Sequence, residues 1–182
     1  MEKKDNAIVS SCSFAAIKPI MMDLPYPPIQ VKEKNEAFAN LLSIDYGGAV
    51  SEMSAITQYL CGESALCIEN CPAAQIILGI AMAEMIHLQK LGQLICLLGG
   101  NVDFIARYRD GRRKLWTPEY INISNNLQKI AASNIESEKE AINQYKMHIR
   151  MINDKNVIAV LERIIKDEEY HIMMLRALLE SV

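Results

Sequence analysis

Histidine is scarce in this chain, with three in 182 residues, and aromatic side chains reach only 6% with a single tryptophan. Sandwiches and barrels lean on aromatic and β-branched residues, so an aromatic-poor chain rich in Ala, Ile, Leu, Met, Glu and Lys favours helices over both. Proline is held to positions 19, 25, 27, 28, 72 and 118, which leaves the long periodic segments unbroken. Charge of one sign is missing too: the net charge is -3 and no long basic stripe occurs, which excludes a nucleic-acid footprint. The one basic knot, Arg107, Arg112, Arg113 and Lys114, falls in a predicted connection and reads as a solvated loop. Five cysteines, at 12, 61, 67, 71 and 96, are an odd number without framework spacing or a Cys-x-x-Cys pair. They predict free thiols in a reducing compartment. A relay thiol pair of Cys67 and Cys71 is the minor alternative. Val9-Ser10-Ser11-Cys12 is superficially like a lipoprotein cleavage site, but the eight residues before it are too short for a signal peptide. The most apolar stretch, 73 to 98, carries Glu84, His87 and Lys90, so no membrane span is expected. These points predict a cytoplasmic location.

Two of the three histidines stand in matching Glu-x-x-His motifs, Glu84 with His87 and Glu168 with His171, 84 residues apart. On a helix, residues three apart project from one face and can hold one ion between them. A second echo supports the pairing. Ser51 to Tyr59 reads again as Ser137 to Tyr145, displaced by 86 residues with six of nine positions identical. The chain therefore reads as two copies of a helical hairpin, each with a lone Glu (Glu52, Glu138), a Tyr seven residues on (Tyr59, Tyr145), and then a Glu-x-x-His.

One domain is expected at this length. Residues 1 to 33, with Pro25, Pro27 and Pro28, form an extended N-terminal arm whose early part is expected to be disordered. Residues 34 to 182 form a four-helix bundle. The first helix is placed near 35 to 62 after an Asn35 cap, and the second near 72 to 98 with Pro72 in its first turn and Gly99-Gly100 at its end. The third runs from about Ser124 to Ile152, and the fourth from an Asp154 cap to about Leu179. The 25-residue link between the second and third is long enough to cross the bundle. At 1.5 Å per residue, Glu52 and Glu84 sit level within the first hairpin, and Glu138 and Glu168 within the second. All six candidate ligands fall on inward seams, whereas Glu136, Glu140 and Glu169 point outward.

Four carboxylates buried together without counter-charge would be forced to take up protons, and two divalent cations cancel them. One imidazole per ion suits iron or manganese over magnesium or calcium. Tyr59 and Tyr145 can each donate to a ligand carboxylate, or serve only as core aromatics. Gly47 and Gly48 permit a kink or close approach near Glu52. His148, with Tyr145 rather than a carboxylate three residues before it, reads as a surface or packing residue.

Glu52 with Tyr59, Glu84-Met85-Ile86-His87, Glu138 with Tyr145 and Glu168-Glu169-Tyr170-His171 together resemble the ferritin-like superfamily over about residues 35 to 180. Within it, the repeated Ser-Glu-x-x-Ala-Ile-x-Gln-Tyr and the segment Ala83 to Leu88 are most similar to the rubrerythrin and manganese-catalase branch. The resemblance implies an all-α ferritin-like bundle in which Glu52, Glu84, His87, Glu138, Glu168 and His171 bind two Fe or Mn ions, with Glu84 and Glu168 as bridges. It implies peroxide consumption, either as a catalase or as a peroxidase fed by a separate electron-donor protein. Hydrogen peroxide or dioxygen would be the small-molecule partner. Ala141 stands where rubrerythrins have a further carboxylate, and no rubredoxin module is present, which moves weight toward a catalase-like site. Iron storage, or a structural coat protein with a residual site, is the alternative. Met85 occupies the place of a bacterioferritin haem ligand, but packing is the expected role and no haem is expected. The second helix is apolar almost all round, which predicts a homodimer or larger homo-oligomer.

Overall fold

The computed structural model describes residues 12–180. The lipoprotein-like run from Val9 to Ser11 and the earliest part of the arm lie outside the described residues.

Five helices build four rods: α1 (Glu36–Gly47) and α2 (Glu52–Leu66) form the first, α3 (Cys71–Leu97) the second, α4 (Leu127–Met151) the third and α5 (Lys155–Glu180) the fourth. Short links make α1–α2 with α3, and α4 with α5, into two hairpins, and the segment from 98 to 126 crosses between them. This is an all-α ferritin-like bundle. Its helix starts are those the side chains encode. Asn35 Oδ1 accepts from Phe38 N, Asn70 Oδ1 from Ala73 N just ahead of Pro72, and Asn126 Oδ1 from Lys129 N. Asp154 Oδ1 accepts from Asn156 N while its other oxygen accepts from Lys32 N of the arm, so one carboxylate caps α5 and anchors the arm.

The single helix expected over 35 to 62 is corrected to two. Gly48 is extended rather than helical, and a Cβ there would lie 2.6 Å from Ile44 O. Ser51 then caps a fresh helix through Ser54 N, and α2 continues to Leu66. The break places Glu52 in the first turn of α2, where unpaired N–H groups favour a carboxylate.

The crossover is not the plain loop expected. Ile105–Arg107 (β1) pairs antiparallel with Arg113–Leu115 (β2), Ile105 opposite Leu115, and a 3-10 turn follows at Pro118–Tyr120. Of the basic knot, Arg107 is tied to Asp103 at 2.6 Å and Arg112 to Asp110 at 2.5 Å. The crossover is pinned to α2 by Trp116 Nε1 donating to Ser54 Oγ and Asn122 N donating to Gln58 Oε1.

The apolar core divides into two clusters. One gathers Leu42, Leu91, Leu94, Val157, Leu161 and Ile164, and the other Ile77, Ile80, Ala131, Ile135, Leu175 and Leu178. The candidate ligands lie in sequence between these halves on α3, α4 and α5, so the polar centre forms a layer at mid-bundle. By length and composition α3 could cross a bilayer, yet half of that stretch is buried in the bundle, Glu84 and His87 included.

Residues 12 to 35 carry no helix and run along the bundle. Ile20 N donates to Gly79 O at 2.9 Å, and a Cβ on Gly79 would meet Ile20 Cγ1 at 2.8 Å, so glycine is what permits this approach. Arg163 Nη2 donates to Met22 O and Leu24 O.

Free thiols at all five cysteines are corrected at two of them: Cys12 and Cys71 form a disulfide joining the arm to the first residue of α3. The reducing-compartment argument loses its footing at this pair, and Cys71 is taken from any relay with Cys67. Closing 59 residues of sequence is expected to stabilise the fold by about 4 kcal/mol through loss of unfolded-state entropy. Cys12→Ser should therefore lower the thermal midpoint measurably, and a reductant should lower wild type to the same value. Identical midpoints with and without reductant would contradict the link.

Candidate metal centre

Glu84 and His87 lie three apart on α3, Glu168 and His171 three apart on α5, Glu52 opens α2, and Glu138 lies midway along α4. All six are buried, none more than 3% exposed. The structure brings them into two overlapping quartets, Glu52, Glu84, His87, Glu168 and Glu84, Glu138, Glu168, His171, with the facing atoms of each quartet within 4.8 Å of one another. Glu84 and Glu168 belong to both.

The arrangement repeats with the sequence. His87 Nδ1 lies 2.8 Å from Glu84 Oε2, 3.3 Å from Glu168 Oε1 and 3.6 Å from Glu52 Oε2. His171 Nδ1 lies 2.9 Å from Glu168 Oε2, 3.0 Å from Glu84 Oε1 and 3.4 Å from Glu138 Oε1. Each imidazole thus faces both shared carboxylates and one lone Glu. The repeat also crosses over at the tyrosines: Tyr59 OH donates to Glu138 Oε1, and Tyr145 OH donates to Glu52 Oε1. Burial, followed by the charge of Glu138 or Glu52, raises both phenols well above their ordinary pKa, so they stay protonated and keep donating.

Both rings are oriented from behind. His171 Nε2 lies 2.8 Å from Ile20 O, which can only accept, so Nε2 carries a hydrogen and Nδ1, whose lone pair becomes free when the ring is neutral, faces the carboxylates. His87 Nε2 lies 3.2 Å from Asp167 Oδ2. Asp167 in turn accepts from Tyr26 OH at 2.8 Å and Met22 N at 2.7 Å, and pairs with Arg163 Nη1 at 2.6 Å. Burial opposes the charge on Asp167, but the His87 hydrogen bond and then Arg163 hold its pKa down at about 2. The extended arm therefore supplies a partner directly to one histidine and through Asp167 to the other. Sequence reasoning missed Asp167, Arg163, Tyr26 and Ile20. The Arg163, Asp167, His171 stripe at four-residue spacing was a readable signal, whereas the backbone of an aperiodic arm offers none.

Electrostatics favour cations here. Burial and then Glu84 raise the Glu52 pKa well above the usual range, while burial, Glu84 and Glu168 push Glu138 up to about 8. Burial resists charging the imidazoles, yet Glu168 and Glu84 raise His87, and Glu84 above all raises His171, well above normal. Glu84, opposed by burial, is pulled well below normal by His171 and His87. Protons on nitrogen stand where positive charge is needed. Glu84 Oε1, Glu168 Oε2 and His171 Nδ1 are fully buried and make no hydrogen bond, although the nitrogen lies 3.0 Å from the first oxygen and 2.9 Å from the second. Buried polar atoms left unpartnered around a shared space, with protons on the imidazoles standing in for positive charge, are what a cation site shows, so these residues fit a pair of metal ions.

Other expectations divide. Glu136, Glu140 and Glu169 are exposed. Of the surface and packing roles open to His148, the surface one is ruled out: it is 2% exposed, with Nδ1 2.8 Å from Asp45 Oδ2 of α1, a partner 103 residues away. Met85 is 43% exposed on α3 of the single chain.

A cavity of about 100 Å³ reaches Glu52, Glu84, Glu138 and Glu168 from the α2 and α4 side, beneath Tyr120 and Asn122 of the crossover, with Asp45 and Ala141 in its wall. Water's share of liquid volume is about 30 Å³, so the space admits only a few molecules of that size. Neither histidine lines it.

A bundle with paired carboxylate and Glu-x-x-His quartets defines a dimetal-type ferritin-like protein. The rubrerythrin family model matches residues 48–179, and the chain belongs to that family. A probable manganese catalase of Clostridium acetobutylicum is 26% identical over 171 residues, 85% of this chain and 75% of that protein. The crystal structure of KatB, a manganese catalase from Anabaena, superposes with a TM-score of 0.75 at 26% identity over 87% of this chain and 78% of that one. Rhodobacter capsulatus bacterioferritin shares the fold, with a TM-score of 0.64 at 19% identity over 80% of this chain and 84% of that one.

Proposed function

We infer that this chain is a dinuclear manganese or iron oxidoreductase that disproportionates hydrogen peroxide. The observation that carries the reading is the pair of quartets sharing Glu84 and Glu168 at the end of a cavity sized for very small molecules. Its likeness to proteins called manganese catalases supports it, as does Ala141, which adds no further carboxylate to the cavity wall.

Glu84 and Glu168 would bridge two ions, with Glu52 and His87 completing one site and Glu138 and His171 the other. Such a pair, when bound, supplies two-electron redox chemistry. The protein's own residues do the remainder. Tyr59 and Tyr145 each hold one lone carboxylate by an oxygen, Asp167 and Ile20 O fix the rings, and the arm closes the histidine side to water. Peroxide enters from the opposite side, where Tyr120 and Asn122 cover the cavity. Protein loaded with manganese should release oxygen from peroxide without added reductant in an oxygen-electrode assay. Loaded protein that turns over only with an electron-donor protein would be a peroxidase, and protein inert to peroxide that accumulates iron would be a store.

Metal loading should also respond to pH. Folded Glu138 keeps its proton up to about pH 8, whereas an unperturbed carboxyl loses it near 4.5. Between these values a metal must displace that proton, so affinity should rise and proton release fall as the pH increases from 6 to 8. Titration with metal in two buffers of different ionisation enthalpy reads this directly. A pH-independent affinity would contradict it.

We read the exposed Met85, Cys96 and Leu97 of α3 and Val102 beyond it as the surface for a second copy, which light scattering would test.

A further inference from the structure

Asp45 is a carboxylate in the cavity wall that belongs to neither metal quartet. It is 1% exposed, and it is not left unsatisfied: Oδ2 lies 2.8 Å from His148 Nδ1, and Oδ1 accepts from Gln144 Nε2 at 2.8 Å. Gln144 also donates to Val50 O, which ties this group to the break between α1 and α2. A buried carboxylate and imidazole sharing one proton at hydrogen-bond distance form a group that can take up or give back a proton at little structural cost.

The reaction inferred above needs such a group. One peroxide yields dioxygen, two protons and two electrons, the electrons being held by the bound metal pair; a second peroxide takes up two protons and two electrons to give two waters. Protons must be stored near the cavity between the halves. Of the buried titratable groups in the wall, the phenols of Tyr59 and Tyr145 already donate to Glu138 and Glu52, and the candidate ligands are committed to metal. The titratable groups facing Asp45 are His148 and Tyr145 from α4 and, across the cavity, Glu52 from α2 and the exposed Glu140 from α4. His148 lies in the last turn of α4, toward the end of the bundle.

We propose that the Asp45–His148 pair is the proton store and relay of this centre, taking one of the two protons from the cavity in the oxidative half and returning it in the reductive half, while the other passes to water in the cavity and comes back from it. Burial raises the Asp45 carboxyl, and His148 restrains that rise, which suits a group exchanging protons. The proposal rests on the peroxide reading but is tested separately from it.

Asp45→Asn and His148→Gln, each nearly isosteric, are loaded with manganese alongside wild type and assayed for metal content, melting temperature and oxygen release across pH. Both variants are expected to keep two ions per chain and an unchanged KM while kcat falls on the order of 100-fold, with imidazole buffer restoring part of the rate to His148→Gln. Wild-type rates and pH profiles in the variants would overturn the proposal and leave the peroxide reading standing. Rate loss that tracks metal loss or a fallen melting temperature would make the pair structural and also overturn it. Loaded wild type that releases no oxygen would overturn the reading, and the proposal with it.

Discussion

Replacing Glu84 or Glu168 by Gln is expected to strip both ions from the protein and abolish oxygen release. Each of these carboxylates belongs to both quartets, so neutralising one weakens two sites at once. Glu52 and Glu138 each belong to one. Glu52→Gln or Glu138→Gln should therefore leave about half the metal bound, which distinguishes a bridge from a terminal ligand by stoichiometry alone. With no ions held, oxygen release by Glu84→Gln and Glu168→Gln should fall by at least on the order of 10³-fold, to the background of the assay. Elemental analysis after gel filtration, paired with the oxygen electrode, checks both halves. Equal metal contents across the four variants would remove the assignment of bridges.

Asp167→Asn should be the second most damaging change, although this residue faces away from the ions. It orients His87 from behind, and loss of a carboxylate partner to a ligating histidine weakens metal binding by about 10- to 100-fold. It also leaves Arg163, 5% exposed, without its counter-charge inside the protein, and breaking a buried pair from one side costs about 3–5 kcal/mol. The pH dependence has a definite sign. The folded protein holds the Asp167 pKa at about 2, below its unfolded value of about 3.9, so its stabilisation is present above pH 4 and is lost as the pH falls toward 2. Denaturant melts of metal-free wild type and Asp167→Asn at pH 7 and pH 3 should differ most at pH 7. Tyr26→Phe removes one neutral donor from the same carboxylate and should cost only about 1 kcal/mol. An Asp167→Asn protein with full affinity and stability would detach the arm from the account.

What the sequence discloses here follows from periodicity. The seams of α3, α4 and α5 and the spacing of Glu84, His87, Glu138, Glu168 and His171 are local patterns repeated twice, and repetition makes them readable without coordinates. The break at Gly48 was also written locally, as two glycines followed by a Ser51 cap, but the apolar rhythm running through 35 to 62 masks it. The remaining features are pairings between distant residues. Nothing in the spacing of Cys12 and Cys71 announces a bond, because it depends on where an aperiodic arm lies. Asp45 and His148 meet only because α1 and α4 pack side by side, 103 residues apart in the chain. Asp167 could be suspected from Arg163 one turn before it, but its link to Tyr26 and Met22 could not. The residues facing the proposed ions were legible, and most of those holding them in place were not.

Metal content per chain of protein loaded with manganese or iron, with the ions located by anomalous diffraction, tests the central claim most directly. Two ions per chain are expected at mid-bundle, both contacting Glu84 and Glu168, one with His87 and the other with His171. A loaded protein with no ion at these residues, or with ions held only on its exterior, would contradict it.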